Sequence, residues 1–149
     1  MSGTVLIQDE MTPRNGAFPF LVDGTTVRNL WIYSQNSTGT TISGHKIVAF
    51  SSSDTFVLAD SATASHASLQ LGMTTGAIAD SAFGHAQGTG ELTDVSFSFT
   101  PGDELYLGSN GAIVPYGSLS GARLFDRLIA VAITSTTIQF NIQPAIIRG

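Results

Sequence analysis

At 149 residues, with 42% apolar side chains, the chain has the size and composition of one folded domain, not of a polar disordered chain. Only 11% of its residues are charged and the net charge is −5. Arg14, Arg28, Lys46, Arg123, Arg127 and Arg148 are scattered, so no basic stripe exists to neutralise a nucleic-acid backbone. Cysteine is absent, which excludes disulfides, thiol nucleophiles and cysteine-ligated metals.

Residues 1–25 differ from the rest. Met11-Thr12-Pro13-Arg14-Asn15-Gly16 and Pro19 interrupt any regular element, which predicts an extended N-terminal arm ahead of a β domain over 26–149. Met1-Ser2-Gly3-Thr4 lacks the basic and apolar stretches of a signal peptide, so synthesis in a cytoplasm is expected. Strands follow at Val27–Tyr33, Lys46–Phe50 and Thr55–Ala59, all β-branched or aromatic and bounded by Gly, Ser and Asp. Ser61–Leu71 has alanines where a helix would need a wide apolar stripe, and holds a helical turn or two at most.

Gly84 to Gly90 is glycine-rich and predicts a hairpin tip or bulge. It lacks the Gly-x-Gly-x-x-Gly spacing of a phosphate cradle. In Val95-Ser96-Phe97-Ser98-Phe99 apolar residues alternate strictly with serine, the period of a half-buried strand. Pro101-Gly102 marks a turn into a hairpin, Glu104–Gly108 and Ala112–Val114 around Asn110-Gly111, where Asn-Gly tolerates the positive φ of a type I′ turn. Leu119–Asp126 could hold a short turn. Leu128–Thr134 predicts a central strand, joined through Thr134-Ser135-Thr136 to a strand over Ile138–Ile142. The longest apolar run, Leu128 to Ile133, is far short of the roughly 20 residues that span a bilayer, so no membrane partner is expected.

Short strands with frequent turn signals predict an all-β fold, a compact β-sandwich or barrel of jelly-roll type carrying the extended arm. Its core should hold Leu30, Ile32, Val48, Phe50, Val57, Phe97, Phe99, Leu105, Leu107, Ile129, Val131, Ile138, Phe140 and Ile142.

Catalytic chemistry finds little support. His45, His66 and His85 never fall at the i, i+2 or i, i+4 intervals that aim two imidazoles at one ion. Asp103 and Glu104 are adjacent, which sends them to opposite faces of a strand, not to one glycosidic bond. Glu91 and Asp94 read as solvated turn residues. No Gly-x-Ser-x-Gly elbow is present. No enzyme, cofactor or metal site is therefore expected. The aromatics Phe18, Phe20, Trp31 and Tyr33 suit either a sugar-binding platform or the anchors of a core or interface.

Pro101-Gly102-Asp103-Glu104-Leu105-Tyr106-Leu107-Gly108-Ser109-Asn110-Gly111-Ala112-Ile113, continued by Pro115, Gly117 and Ala130-Val131-Ala132, resembles a hairpin pattern of tailed-bacteriophage virion proteins. Gly44-His45-Lys46-Ile47-Val48 and Gly76-Ala77-Ile78-Ala79 resemble strands of the same proteins, so the likeness spans about residues 40–145. Capsid decoration (cement) proteins, head fibres and tail-fibre modules have this look. The resemblance implies a non-enzymatic, oligomeric structural protein on the capsid surface of the virion. Its partners would be the major capsid protein and further copies of itself, arranged as a trimer. The alternative is a tail-fibre or receptor-binding module that recognises host surface glycans. Low charge agrees with association, because few like charges keep copies apart. In the arm, Phe18, Pro19 and Phe20 are the expected partner contacts: proline prevents regular pairing and the two rings need a pocket.

Overall fold

The structure, a computed structural model, describes residues 31–51 and 55–148. The expected arm with Phe18, Pro19 and Phe20, and the core candidate Leu30, lie outside the described residues. The fold is all-β, as the sequence predicts. Among the described residues the helical content is two 3₁₀ turns, Ala64–Ser68 and Tyr116–Ser118.

Strands β1 (Trp31–Asn36), β2 (Ile47–Phe50), β3 (Thr55–Leu58), β4 (Leu71–Thr74) and β5 (Phe83–Gln87) close into a barrel. Their order is β1-β3-β2-β4-β5, with β5 returning antiparallel to β1. A second sheet is built from β6 (Glu91–Thr93), β7 (Glu104–Leu107), β8 (Ile113–Pro115), β10 (Leu128–Ala132) and β11 (Thr137–Phe140). Its order is β6-β11-β10-β7-β8, so the Leu128–Ala132 strand is central as expected. Between β8 and β10 lies β9 (Phe125–Asp126), which pairs with β12 (Ile146–Ile147).

The alternation of β2 explains how the two sheets share one chain. Val48 points into the barrel with Ile42, Phe56, Ile78 and Ala86, and Phe50 and Leu58 pack against that cluster. Ile47 and Ala49 point the other way, joining Leu71 and Met73 of β4 against Leu105, Leu107, Ile129, Ala130 and Ile138 of the second sheet. Successive side chains of a strand face opposite sides, so a strand apolar at every position requires two cores. Here it has them. Burying each such Val, Leu, Ile or Phe is worth about 1.5–3 kcal/mol.

The barrel interior is narrow. A Cβ on Gly84 would lie 2.5 Å from Ile78 Cδ1, and one on Gly72 would lie 3.1 Å from the Ala86 Cβ. The end of the barrel is closed by a polar side chain, Asn36, which is fully buried. Its Nδ2 donates to the carbonyls of Thr40 (2.7 Å) and Ile78 (2.9 Å), and its Oδ1 accepts from the Thr38 amide and hydroxyl. Both ends of the amide group are thus satisfied, so the burial is tolerated.

The predicted hairpin is β7–β8. Asn110 (φ 52°) and Gly111 (φ 79°) have the positive φ of a type I′ turn, closed by the Ala112 amide on the Ser109 carbonyl. Ser109 and Asn110 are exposed at the tip, but Gly111 is buried. The Gly111 amide donates to the Ala59 carbonyl (2.7 Å) and its carbonyl accepts from the Ile47 amide (2.8 Å), so the second sheet is stitched to the barrel through the turn.

Two sequence expectations are corrected. Val95–Phe99 is not a strand. Asp94 instead accepts from the amide and hydroxyl of Ser96, an Asx turn that diverts the chain after β6. Phe97 and Phe99 nonetheless share one face, half-buried against the core, whereas Val95 is 93% exposed. Gly84–Gly90 is not a hairpin tip either, since Gly84 to Gln87 lie within β5. Of the candidate core, Val48, Leu105, Leu107, Ile129, Ile138 and Phe140 are buried. Ile32, Phe50, Val57, Phe97, Phe99, Val131 and Ile142 are half-buried.

Candidate interaction surface

The register of β1 against β5 pairs Tyr33 with His85, Gln35 with Phe83 and Ser34 with Gly84. Small side chains face inward on these two strands: Ser34 and Ala86 are buried, and Gly84 abuts Ile78. The period of two then sends Tyr33, Phe83 and His85 outward. Tyr33 is 61% and Phe83 56% exposed, and His85 is exposed too. Their rings form a cluster: Tyr33 stacks on Phe83 with centroids 5.6 Å apart, and meets His85 at 4.7 Å.

Large rings left in water on one outer face of a closed barrel offer apolar area for a partner to cover. Covering each ring fully is worth on the order of 1.5–3 kcal/mol, and the tyrosine hydroxyl and imidazole give such a contact direction. The sequence singled out Tyr33 as an aromatic anchor, weighed His85 only as a metal ligand and missed Phe83. The signal was present, as Phe83-Gly84-His85-Ala86 alternates large with small at the strand period. The side chain of Trp31 is outside what the structure describes, as are Phe18 and Phe20.

The histidines occupy three unrelated environments. Nε2 of His45 lies 3.3 Å from Asp94 Oδ2, linking the barrel to the segment after β6, and the His45 ring meets Phe97 edge-on. Nδ1 of His66 accepts from the Asp60 amide at 3.0 Å. His85 belongs to the exposed cluster. Among the described residues no three His, Cys, Asp or Glu side chains gather as a metal site would require.

The carboxylates are likewise tied to local structure. The Asp94 carboxylate sits below its usual range, held first by the Ser96 hydroxyl, then by the Ser96 amide, with His45 a smaller influence. It thus contacts the His45 ring as well as being the turn residue that the sequence suggests. Asp103 accepts from the Thr100 amide at 3.1 Å, stabilising the Pro101-Gly102 turn. Glu104 is exposed beside the hydroxyl of Tyr106, whose pKa rises mainly through burial and then through that carboxylate. These contacts hold turns and strand ends; none aligns a nucleophile with a base. Comparison with protein-family models, curated proteins and solved structures finds no match for this chain.

Proposed function

We propose that the chain is a non-enzymatic structural protein of a tailed-bacteriophage virion, a decoration protein that binds and stabilises the shell of the major capsid protein. The observation that carries this reading is the exposed Tyr33–Phe83–His85 face, set on a rigid barrel in a chain with very few charges. Such a face binds protein by burying area, not by chemistry. The mechanism is passive. A subunit seated across neighbouring capsomers adds buried interface that must be undone before they separate. The N-terminal arm, through Phe18, Pro19 and Phe20, adds contact with a neighbour, and closure into a trimer covers sheet edges that few charges guard. Assembly takes place in the host cytoplasm and the finished protein lies on the capsid surface.

A second reading, a tail-fibre or receptor-binding module for host surface glycans, is favoured by the same rings, since the apolar face of a sugar stacks on exposed aromatics. Purified full-length chain added to undecorated heads separates the two. The expected result is saturable co-sedimentation in many copies per head, lost in Tyr33→Ala/Phe83→Ala. No head binding, together with retention on glycan-bearing cells, would overturn decoration in favour of the fibre module.

A further inference from the structure

Arg127, between β9 and β10, has a structural task that leaves part of its side chain unused. Its Nη1 donates to the Leu69 and Ala67 carbonyls at 2.6 and 3.2 Å, and its Nε donates to the Gln143 carbonyl at 2.9 Å. The end of the first 3₁₀ turn is thereby tied to the segment after β11. Among the described residues no carboxylate pairs with Arg127, and its Nη2 makes no hydrogen bond. Burial lowers its pKa, and no acid opposes that effect. Carbonyl dipoles orient such a guanidinium but do not neutralise it.

The side chain lines a cleft of about 530 Å³, within the size range of small-ligand sites. Ala67, Ile142 and Ala145 form apolar walls and also pack against the larger core, which holds them in place. Ile147, 67% exposed, forms a lip that an occupant would cover. No acidic residue lines the cleft, and Arg127 is the one charged residue that does, so the occupant must bring the negative charge. The Ser68 hydroxyl makes no hydrogen bond among the described residues and is a second donor for a carboxylate. Gln143 adds an acceptor: its Nε2 is given to Asn141 Oδ1 at 2.6 Å, which leaves its side-chain oxygen for an incoming N–H.

A cation, a hydroxyl, an amide oxygen and apolar walls in one cleft match the last residue of a polypeptide. There the carboxylate, the side chain and the N–H all leave one Cα. A free carboxylic acid brings no N–H, and an acidic residue inside a chain brings no apolar side chain of its own.

We propose that this cleft captures the C-terminal carboxylate of a partner polypeptide ending in an apolar residue. The carboxylate sits on Arg127 and Ser68, and the side chain lies among Ala67, Ile142 and Ala145. Because three carbonyls already fix the guanidinium, little ordering cost remains to be met on binding. The site shares no residue with the Tyr33–Phe83–His85 face, so the inference goes beyond the virion role and does not depend on it.

Titration of the isotope-labelled full-length protein with N-acetyl-glycyl-leucine tests this. Amide signals of Ser68, Gln143 and Ala145 should shift saturably, with a Kd on the order of 1 mM. The same dipeptide with a C-terminal amide should bind about tenfold more weakly. Isocaproate, which keeps the carboxylate and the branched body but has no N–H, should bind about threefold to tenfold more weakly. Ser68→Ala should weaken the acid by a similar factor, and Ala145→Trp, which fills the cleft and leaves the Arg127 hydrogen bonds in place, should abolish the response. The proposal is overturned by the absence of a saturable shift, by an amide that binds as tightly as the acid, or by unchanged affinity in both variants. Equal binding of isocaproate would assign the cleft to free carboxylates, and displacement of the peptide by inorganic phosphate would make it a simple anion site; either overturns it. Signals that move with protein concentration alone would place another copy in the cleft, with the same consequence.

Discussion

Substituting alanine at two glycines of positive φ isolates what the β7–β8 turn contributes to holding the two sheets together. Gly102 (φ 93°) and Gly111 (φ 79°) both occupy backbone conformations that cost an L-residue about 1–2 kcal/mol. At Gly102 nothing lies within 4 Å of the place a Cβ would take, so Gly102→Ala should cost only that conformational amount. At Gly111 the new Cβ would sit 2.9 Å from the Ile47 carbonyl oxygen and 2.9 Å from Leu58 Cδ2. Leu58 can yield; the Ile47 carbonyl is backbone of a central barrel strand and cannot do so without moving β2. Overpacking adds about 1–3 kcal/mol, and the two hydrogen bonds of Gly111 put about 1 kcal/mol each at risk. Gly111→Ala should therefore cost about 2–7 kcal/mol, against about 1–2 kcal/mol for Gly102→Ala, lowering Tm by roughly 2–4 °C for each kcal/mol in a chain of this size. Urea titrations followed by circular dichroism give both values directly. If Gly111→Ala costs no more than Gly102→Ala, the turn is not a stitch between sheet and barrel and the reasoning fails.

Further tests probe the barrel, the buried Asn36, the Asp94 turn and the arm. Gly84→Ala should destabilise by about 1–3 kcal/mol because of Ile78, and Ile78→Ala should relieve part of that cost when combined with it; additive effects in the double-mutant cycle would show that the contact is absent. Asn36→Ala leaves the Thr40 and Ile78 carbonyls and the Thr38 amide without their partner, for a loss of about 1–3 kcal/mol in urea unfolding; an unchanged midpoint would exclude that role. Because Asp94 is held below its ordinary value of 3.8, it contributes stability above that pH and loses it as pH falls further. Asp94→Asn should flatten the acid limb of stability against pH, and a limb identical to the parent's would refute this. Deleting residues 1–20 should weaken attachment to heads without changing the far-UV spectrum; equally tight attachment would remove the arm from the interface.

The all-β class and several elements were legible because their signals are local. Alternating apolar residues mark β11, a β-branched run marks β2, and Asn-Gly marks the turn after β7, each within a few residues. The same local logic misread Val95–Phe99, where alternation was real but the Asp94–Ser96 turn took the backbone out of any ladder. It also misread the segment from Gly84, because glycine punctuates turns and equally permits close packing. Only Ile78, six residues away in sequence but packed inside the barrel, decides which applies.

What the sequence determined by itself was therefore the all-β class, the strands that became β1–β3, β7, β8, β10 and β11, the Asn-Gly turn and the shortage of charge; β4, β5, β6, β9 and β12 were not read from any local signal. The tertiary structure decided which faces meet: that β2 serves two cores, that the hairpin tip grips the barrel, and that β1 and β5 lie side by side with Tyr33, Phe83 and His85 outward. Tyr33 lies far from Phe83 and His85 along the chain, and no local pattern encodes their meeting. The physical reason is that strand pairing is non-local. Backbone hydrogen bonds are the same for nearly every residue type, so the partner of a strand is selected by how the whole set of apolar faces can be buried at once.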